Sequence, residues 1–432
     1  MPSPPTEVEL ARQLLSHVHR GNRRGAESAL AAGASVDGSW ELDYRPILDA
    51  SAYGNGNMVK FLITTGCNVN LGAPRDVKTA SGEQMMLAGQ RALHTAIDSY
   101  HLEVFRMLLK HGADPNAPTD CGVTPLMCAC KVREGESQAK KHLVMARELL
   151  EAGADPVVAE RVASRTALHS AAGLGSPELV ELVLSKSPPT SWNHADKAGR
   201  TALVYAALEG RLAEAKLLVS AGVMQPSSSP AGVQCPLAAA AQGGHAGIVQ
   251  LLLEDRMRVV GGTRKLPQAI FSAIAFSRVS VLQTLISAGG EEQLAHWAGL
   301  SWDNRPMLNW ASTVAHLPTI SVLLTAGARE DARDFRGRLA FDVIGSDKSV
   351  VADMDACRRA AVRRMLQRGP AFRAKSWAWP GSDEAASVSD AGVDAVAVWR
   401  GERQDPLRIR ISRTRNRQYF VRLIFGRYPR KK

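Results

Sequence analysis

Aromatic residues and long apolar runs are both scarce in this 432-residue chain. Phe, Trp and Tyr make up 5% of the sequence, which is little for the core of a globular domain. Since no apolar run approaches the ~20 residues of a membrane-spanning helix, we expect no membrane segment. The first five residues, Met-Pro-Ser-Pro-Pro, have neither the basic start nor the apolar stretch of a secretory signal. The six cysteines form no paired framework, which predicts a reducing compartment, the cytoplasm or the nucleus.

The sequence also lacks the short motifs that mark common catalytic and metal sites. It contains no Gly-rich loop ending in Lys-Ser or Lys-Thr, no Gly-x-Ser-x-Gly and no His-Glu-x-x-His. The pair Cys128 and Cys130 comes closest to a metal motif, but its spacing is not Cys-x-x-Cys and no second pair follows. We interpret it as two small buried cysteines on a packed helix. We therefore predict no enzyme activity, no metal, no cofactor and no small-molecule substrate.

What the sequence does contain is a repeated helix pair, clearest at residues 91–116. Apolar residues recur there at i, i+3 and i+4 spacing, at Leu93, Ala96 and Ile97 and then at Val104, Phe105, Leu108 and Leu109. Gly112 follows, where a left-handed residue ends a helix without a Cβ clash. The Asp-Pro-Asn at 114–116 then favours a turn. Because so short a pair cannot bury its apolar face alone, it needs neighbouring copies.

Copies of this unit can be recognised by the residues that begin and end each one. Similar units close at Gly33, Gly66, Gly112, Gly153, Gly222, Gly289 and Gly327. Units open with Arg-Ala-Leu-His at 91, Thr-Pro-Leu-Met at 124, Thr-Ala-Leu-His at 166, Thr-Ala-Leu-Val at 201 and Cys-Pro-Leu-Ala at 235. The step from Gly33 to Gly66 gives a period of about 33 residues. In motif and period the units resemble ankyrin repeats, over roughly residues 8–368.

The resemblance implies an all-α fold, an ankyrin-repeat solenoid of about nine to ten helix pairs stacked in one row. We expect residues 1–45 to form an N-terminal capping repeat and residues 46–369 to form the stack. Residues 370–392 are predicted to be a linker, and residues 393–432 a basic tail with a short β-hairpin. Two polar insertions, at 71–90 and 131–141, are predicted to lie in loops at the edge of the stack.

The resemblance also implies where a protein partner, of unknown identity, would bind. In ankyrin stacks the first helices line a concave face, and the turns between repeats project as fingers. The following residues map to fingers or to a first helix: Trp40, Tyr44, Trp192, His194, Trp297, Trp302 and Trp310. Rigid aromatic side chains are typical of binding hot spots, although each one could instead cover a neighbouring helix pair. His94 and His169 match the histidine that ties neighbouring repeats in the family. We expect Asp43, Asp120, Asp196 and Asp303 to form turns and not to contact a partner.

The positive charge of the chain is concentrated at its C-terminal end. Of 53 basic and 42 acidic residues, twelve and two lie at 399–432, which leaves 41 and 40 for the rest. Residues 407–411 and 419–425 have the pattern of two strands. Nucleic acid is therefore a possible partner, through Arg408, Arg410, Arg413, Arg415, Arg417, Tyr419, Phe420 and Arg422. The other interpretation is a solvated extension or a localisation signal.

Together these patterns predict a non-enzymatic scaffold or adaptor in the cytoplasm or nucleus. It would bind a protein through its concave face and finger loops. The alternative is a nucleic-acid- or ribonucleoprotein-associated protein that is anchored by the basic tail.

Overall fold

The structure, a computed structural model, describes most of residues 6–344 and two strands near the C-terminus. The described ranges are 6–38, 45–74, 77–78, 84–86, 88–131, 136–223, 235–254, 266–298, 301–302, 305–314 and 316–344, with positions 362 and 366 and residues 408–413 and 419–424. They fall into two compact units, Met1–Ala240 with Glu254–Gly262, and Ala241–Leu253 with Thr263–Lys432.

Among its described residues, the first unit contains six consecutive helix pairs. These are α1 (Glu7–His19) and α2 (Arg23–Ala31), α3 (Pro46–Ala52) and α4 (Gly56–Thr64), α5 (Ala92–Asp98) and α6 (Leu102–Lys110), α7 (Pro125–Ala129) and α8 (Glu136–Glu151), α9 (Ala167–Leu174) and α10 (Pro177–Lys186), and α11 (Ala202–Glu209) and α12 (Leu212–Ser220). In the series α1, α3, α5, α7, α9 and α11, each helix packs on its neighbour in the series. The even-numbered helices from α4 to α12 pack on one another in the same way. The first helices therefore form one layer and the second helices another, as an all-α repeat solenoid requires.

Helices of this length are marginal alone and are stabilised by packing and by caps. Asn22 and Asn55 cap α2 and α4 through their side-chain oxygens, and Thr124 caps α7 in the same way. Alanines such as Ala96 and Ala206 are fully buried between the layers. Small side chains at these points let neighbouring backbones approach closely, which is why the core needs few aromatic residues.

The predicted closing glycines are confirmed with one exception. Six of them have a positive φ, between 83° at Gly112 and 105° at Gly33. The prediction that Gly289 ends a helix is wrong, because α16 (Val279–Ala298) continues past it. The residues after Gly289 explain this, since Glu291 to Ala295 favour a helix and the Asp-Pro of the other turns is missing.

The insertions are not simple loops. Within residues 71–90, β1 (Val77–Lys78) pairs antiparallel with β2 (Gln84–Met86). Residues 136–141 belong to α8, so the prediction of a loop is wrong there. Their sequence, Glu-Ser-Gln-Ala-Lys-Lys, is rich in helix-forming residues, so the insertion lengthens the helix.

The helices α13 (Pro236–Gly243) and α14 (Ala246–Glu254) lie where the chain passes between the two units. The second unit continues with α15 (Leu266–Ala275), α16, α17 (Met307–Val314) and α18 (Leu317–Thr325). There α15 packs on α17, and α16 on α18. The strands β3 (Ser301–Trp302) and β4 (Arg305–Pro306) pair antiparallel before α17.

The two strands predicted in the tail are confirmed. β5 (Arg408–Arg413) pairs antiparallel with β6 (Tyr419–Ile424), and Arg410 lies directly opposite Arg422. Within the described parts of the chain, no helix is both long and apolar enough to cross a bilayer. The predicted boundaries at residues 46, 370 and 393 stay predictions.

Candidate functional site

Two buried histidines tie neighbouring helix pairs together. The backbone N–H of Arg91 donates to Nδ1 of His94 at 3.3 Å, and Nε2 of His94 donates to the carbonyl oxygen of Val123 at 3.1 Å. His169 makes the same two bonds, with the N–H of Thr166 and the carbonyl oxygen of Arg200, both at 3.1 Å. Burial lowers the pKa of each imidazole to about 4, so both rings are neutral at pH 7.

Other residues take the place of this histidine in the second unit. Nδ2 of Asn309 donates to the carbonyl oxygen of Arg338 at 3.0 Å. The N–H of Leu339 donates to the carboxylate of Asp342 at 2.8 Å, as Thr166 does to His169. The histidine motif does not predict either position, because Asn309 and Asp342 are not histidines.

The turn before α11 is organised by Asp196, as predicted. Its carboxylate accepts from the backbone N–H groups of Ala198 and Arg200 at 2.9 and 2.8 Å, and from Nε of Arg200 at 3.0 Å. Burial acts to raise the pKa of Asp196, but these hydrogen bonds and one from Tyr205 hold it below its usual value. Asp334 binds Arg336 and Arg338 in the same arrangement in the second unit.

Tyr205 connects this turn to the first-helix layer. Its hydroxyl donates to Asp196 Oδ2 at 2.8 Å and accepts from Nη2 of Arg200 at 2.9 Å. The guanidinium of Arg200 lies 4.8 Å from the centre of the Tyr205 ring, in cation–π geometry. Burial and the bond to Asp196 raise the pKa of Tyr205 to about 12. The ring is therefore held rigidly where the helix layer meets the turn.

The preceding turn contributes a second ion pair. Arg165 binds Glu160 through Nε, and hydrogen bonds to Glu160 raise the pKa of Arg165, with a smaller effect from Tyr205. The two turns, which we call finger five (160–165) and finger six (196–200), are hydrogen-bonded through Lys197 N–H and the carbonyl oxygen of Ala163 at 2.8 Å. We call Arg161, Arg165, Lys197, Arg200 and Tyr205 the basic finger cluster.

Two of the predicted binding residues lie beside finger six. The indole N–H of Trp192 donates to the carbonyl oxygen and hydroxyl of Ser187, at 3.3 and 3.1 Å, so the half-buried ring folds back onto the end of α10. Nε2 of His194 donates to the carbonyl oxygen of Ser164 at 3.0 Å, which links it to finger five. Its ring lies edge-on to His169, with centroids 6.0 Å apart.

The other predicted residues are spread over the chain. Trp310, on α17, packs edge-to-face on Phe271 at 4.8 Å within the second unit. For Trp297, in α16, and Trp302, in β3, the structure describes only the backbone. Trp40 and Tyr44 lie outside the described residues, as do Arg415 and Arg417 of the tail. The remaining tail residues lie in β5 (Arg408, Arg410, Arg413) and β6 (Tyr419, Phe420, Arg422).

Among the described residues, no three or more His, Cys, Asp and Glu side chains form a group that could hold a metal ion. Cys128 and Cys130 are buried and carry no disulfide. Burial raises the pKa of Cys130 to about 12, which keeps its thiol protonated and inert.

Comparison with known families agrees with this geometry. A family model described as ankyrin repeats matches residues 47–160 and 137–229. Residues 47–229 of this chain are ankyrin repeats. The matches cover α3 to α12. These helices include the pairs that His94 and His169 tie together, and the pairs that fingers five and six connect.

Known proteins resemble parts of the ankyrin stack. Mouse ankyrin repeat and SOCS box protein 16 is 44% identical over 78 residues, 18% of this chain and 17% of the relative. The E3 ubiquitin-protein ligase XBAT33 of Arabidopsis thaliana is 37% identical over 98 residues, 23% and 18% of the two chains. The ankyrin repeat and KH domain-containing protein mask-1 of Caenorhabditis elegans is 25% identical over 248 residues, 57% and 9%. The chain thus spans less than a fifth of the length of each of these three relatives.

Ankyrin repeats are in general protein-interaction modules, and this fixes the broad role of the stack. The sequence predicts Asp196 only as a turn former and does not single out Tyr205, Arg165 or Arg200. The signal was present in Asp-Lys-Ala-Gly-Arg-Thr at 196–201, since an acidic residue four positions before an arginine often forms an ion pair. Tyr205 follows that motif on the first helix.

Proposed function

We propose that this chain is a non-enzymatic scaffold of the cytoplasm or nucleus. It binds a protein partner through the concave face of its first helices and through its fingers. Tyr205 carries the proposal, because its ring lies on a first helix and its hydroxyl is fixed to finger six by Asp196 and Arg200. Tyrosine and arginine that are rigid before binding lose little entropy in a complex, which is why they dominate hot spots.

Neighbouring fingers support a continuous binding surface. Arg161 N–H donates to the carbonyl oxygen of Cys121 at 2.9 Å, and Asp120 N–H donates to that of Ala88 at 3.0 Å. Each finger is thus fixed to the one before it. A surface that is ordered in advance favours binding without a large folding cost.

Affinity capture with the full chain tests this proposal. Ser170→Arg with Tyr205→Ala changes two partly exposed positions on the first helices α9 and α11. Arg147→Ala with Glu181→Ala is the matched control, because both residues are exposed on the second helices α8 and α10. We expect a partner that the wild type and the control retain and the first variant loses. Equal retention by all three proteins would contradict binding through the first-helix layer.

A second candidate function is nucleic-acid binding by the tail, and the strand register favours it. Arg410 and Arg422 are cross-strand partners, and Arg408 is two positions from Arg410 on the same face of β5. Like charges directly opposite each other destabilise a strand pair. A phosphate between them would relieve the repulsion.

A salt titration tests this second function. We expect a labelled single-stranded RNA to bind the full chain with an affinity that falls steeply as salt increases, because bound counterions are released. Arg410→Glu with Arg422→Glu should remove most of the binding, whereas Arg147→Glu with Lys216→Glu should not. RNA binding that is insensitive to salt or to the tail substitutions would exclude the tail as the anchor.

A further inference from the structure

The basic finger cluster contains two arginines that buried carboxylates hold in place. The side chain of Arg165 is 39% exposed and that of its partner Glu160 is 5% exposed. For Arg200 and Asp196 the values are 32% and 1%. The carboxylates thus lie beneath the surface, and the guanidinium groups face outward.

The two guanidinium groups lie on neighbouring fingers, which are hydrogen-bonded to each other through Lys197 N–H and the carbonyl oxygen of Ala163. On the first helix after finger six, the hydroxyl of Tyr205 accepts from Nη2 of Arg200 at 2.9 Å. Arg200 uses Nε and Nη2 for Asp196 and Tyr205, and its Nη1 has no acceptor among the residues that the structure describes. Nη1 carries two N–H donors, which can donate to an oxygen of an incoming carboxylate.

The surface of fingers five and six is positive. Arg161 and Lys197 are exposed on the two fingers. With Arg165 and Arg200 the cluster has four cations, whereas its two carboxylates, of Glu160 and Asp196, are already paired. On the preceding finger, the carboxylate of Asp120 lies against Gly89. The rest of the chain before residue 399 is close to neutral, which makes this a local feature and not a general charge.

An apolar contact lies next to the charges. Val162, at the tip of finger five, is 64% exposed. A large apolar residue at a fixed turn favours a partner that has an apolar side chain beside its charged ones.

We propose that the basic finger cluster binds an acidic peptide segment of a protein partner, with one carboxylate at Arg165 and Arg200 and an adjacent apolar side chain on Val162. This inference rests on the proposed scaffold function and specifies the chemistry of the partner. A protein segment fits better than a nucleic acid, because a phosphate backbone needs a long positive track and this cluster spans only two fingers.

Fluorescence anisotropy with defined probes tests the inference. One probe is a labelled twelve-residue peptide of alternating Glu and Val, a second has Gln in place of every Glu, and a third is a labelled twelve-nucleotide single-stranded RNA. We expect the full chain to bind the Glu peptide at least tenfold more tightly than the Gln peptide and the RNA. Arg161→Glu with Lys197→Glu should weaken Glu-peptide binding at least tenfold, since both residues are exposed and neither forms an ion pair among the described residues.

Matched variants separate charge at the cluster from charge in general. Arg147→Glu with Lys216→Glu makes the same charge change on exposed second-helix positions, and we expect Glu-peptide binding within twofold of wild type. Thermal unfolding of each variant shows whether the stack is intact. Equal binding of the Glu and Gln peptides, tighter binding of the RNA, or equal loss in both double variants would overturn the inference. With any of these outcomes, a partner that is lost only from the Ser170→Arg and Tyr205→Ala variant in the capture experiment would still support the scaffold function. The partner would then have a chemistry other than that of an acidic peptide.

Discussion

Nε2 of His94, in α5, donates to the carbonyl oxygen of Val123, which lies before α7, at 3.1 Å. This bond joins repeats three and four at a point from which water is excluded, because His94 is fully buried. Its other ring nitrogen accepts the N–H of Arg91, so one side chain satisfies two backbone groups. The histidine is therefore a structural connection between repeats.

We predict that His94→Ala lowers the free energy of unfolding by about 2–4 kcal/mol, because it leaves a cavity and two unpaired backbone groups. His94→Asn should lose less, since Asn309 makes the corresponding bond in the second unit. Urea unfolding followed by far-UV circular dichroism measures both. His111→Ala, at an exposed position, is the control and should change stability by less than about 0.5 kcal/mol. Equal losses at His94 and His111 would refute this role.

Stability should also fall as the pH is lowered from about 6.5 to about 4. The folded pKa values of His94 and His169 are about 4, below the ordinary 6.5, so the unfolded chain binds more protons in this range. Between pH 4 and 6.5, each histidine changes the free energy of unfolding by at most about 1.4 kcal/mol per pH unit. Its full contribution to stability is present above pH 6.5.

The pH dependence is measured by urea unfolding at pH 7.5, 6 and 5. Glu214 acts in the opposite direction, because burial raises its pKa. Comparison with His94→Asn therefore isolates the histidine, and this variant should show a shallower loss on acidification. The same slope in wild type and variant would count against the assignment.

Loss of the buried ion pair between Asp196 and Arg200 in finger six should lower stability far more than loss of an exposed ion pair at the same i,i+4 spacing. Asp196→Ala removes the acceptor of Ala198 N–H, Arg200 N–H and the Tyr205 hydroxyl, and we expect a loss of about 2–3 kcal/mol. Glu27→Ala breaks the exposed i,i+4 pair with Arg23 and should cost less than about 0.5 kcal/mol. Denaturant midpoints compare the two, and similar shifts would show that burial does not decide the effect.

Two glycines with nearly the same φ should respond differently to substitution. Gly112 has φ +83°, and a Cβ there would meet nothing within 4 Å, so Gly112→Ala should cost about 1 kcal/mol of backbone strain. Gly122 has φ +85°, and its Cβ would lie 2.7 Å from the backbone nitrogen of Arg161. Gly122→Ala should therefore cost more than about 2 kcal/mol, since finger five must move. Unfolding curves of the two variants test this, and equal costs would mean that the fingers are not in firm contact.

The repeat architecture could be predicted because it depends on local signals that recur. Gly112 with its Asp-Pro-Asn turn, and the apolar spacing of α5 and α6, specify the elements without knowledge of distant contacts. The prediction failed at Gly289, where one local rule, glycine after a helix, was opposed by the helix-forming residues that follow. The prediction of a loop at 136–141 is also wrong, because the polar residues that indicate a loop there also favour a helix.

The candidate site was predicted less well. Trp192 and His194 lie beside finger six, but hydrogen bonds to Ser187 turn the indole of Trp192 back onto the end of α10. Tyr205 was not singled out, because a tyrosine on a short helix has no distinctive signal in one sequence. Its importance comes from Asp196 and Arg200, which reach it only after the finger has folded.

The sequence alone therefore determined that this chain forms stacked ankyrin repeats, because the helix pattern and the closing turn recur along it, and two repeats also contain the inter-repeat histidine. Only the tertiary structure decided which side chains form one surface. Arg165 and Arg200 are thirty-five positions apart, and they lie on neighbouring fingers because the stacking of repeats five and six brings these fingers side by side. Burial of Glu160 and Asp196 then fixes the orientation of the arginines, an effect of the folded environment that residue order does not encode.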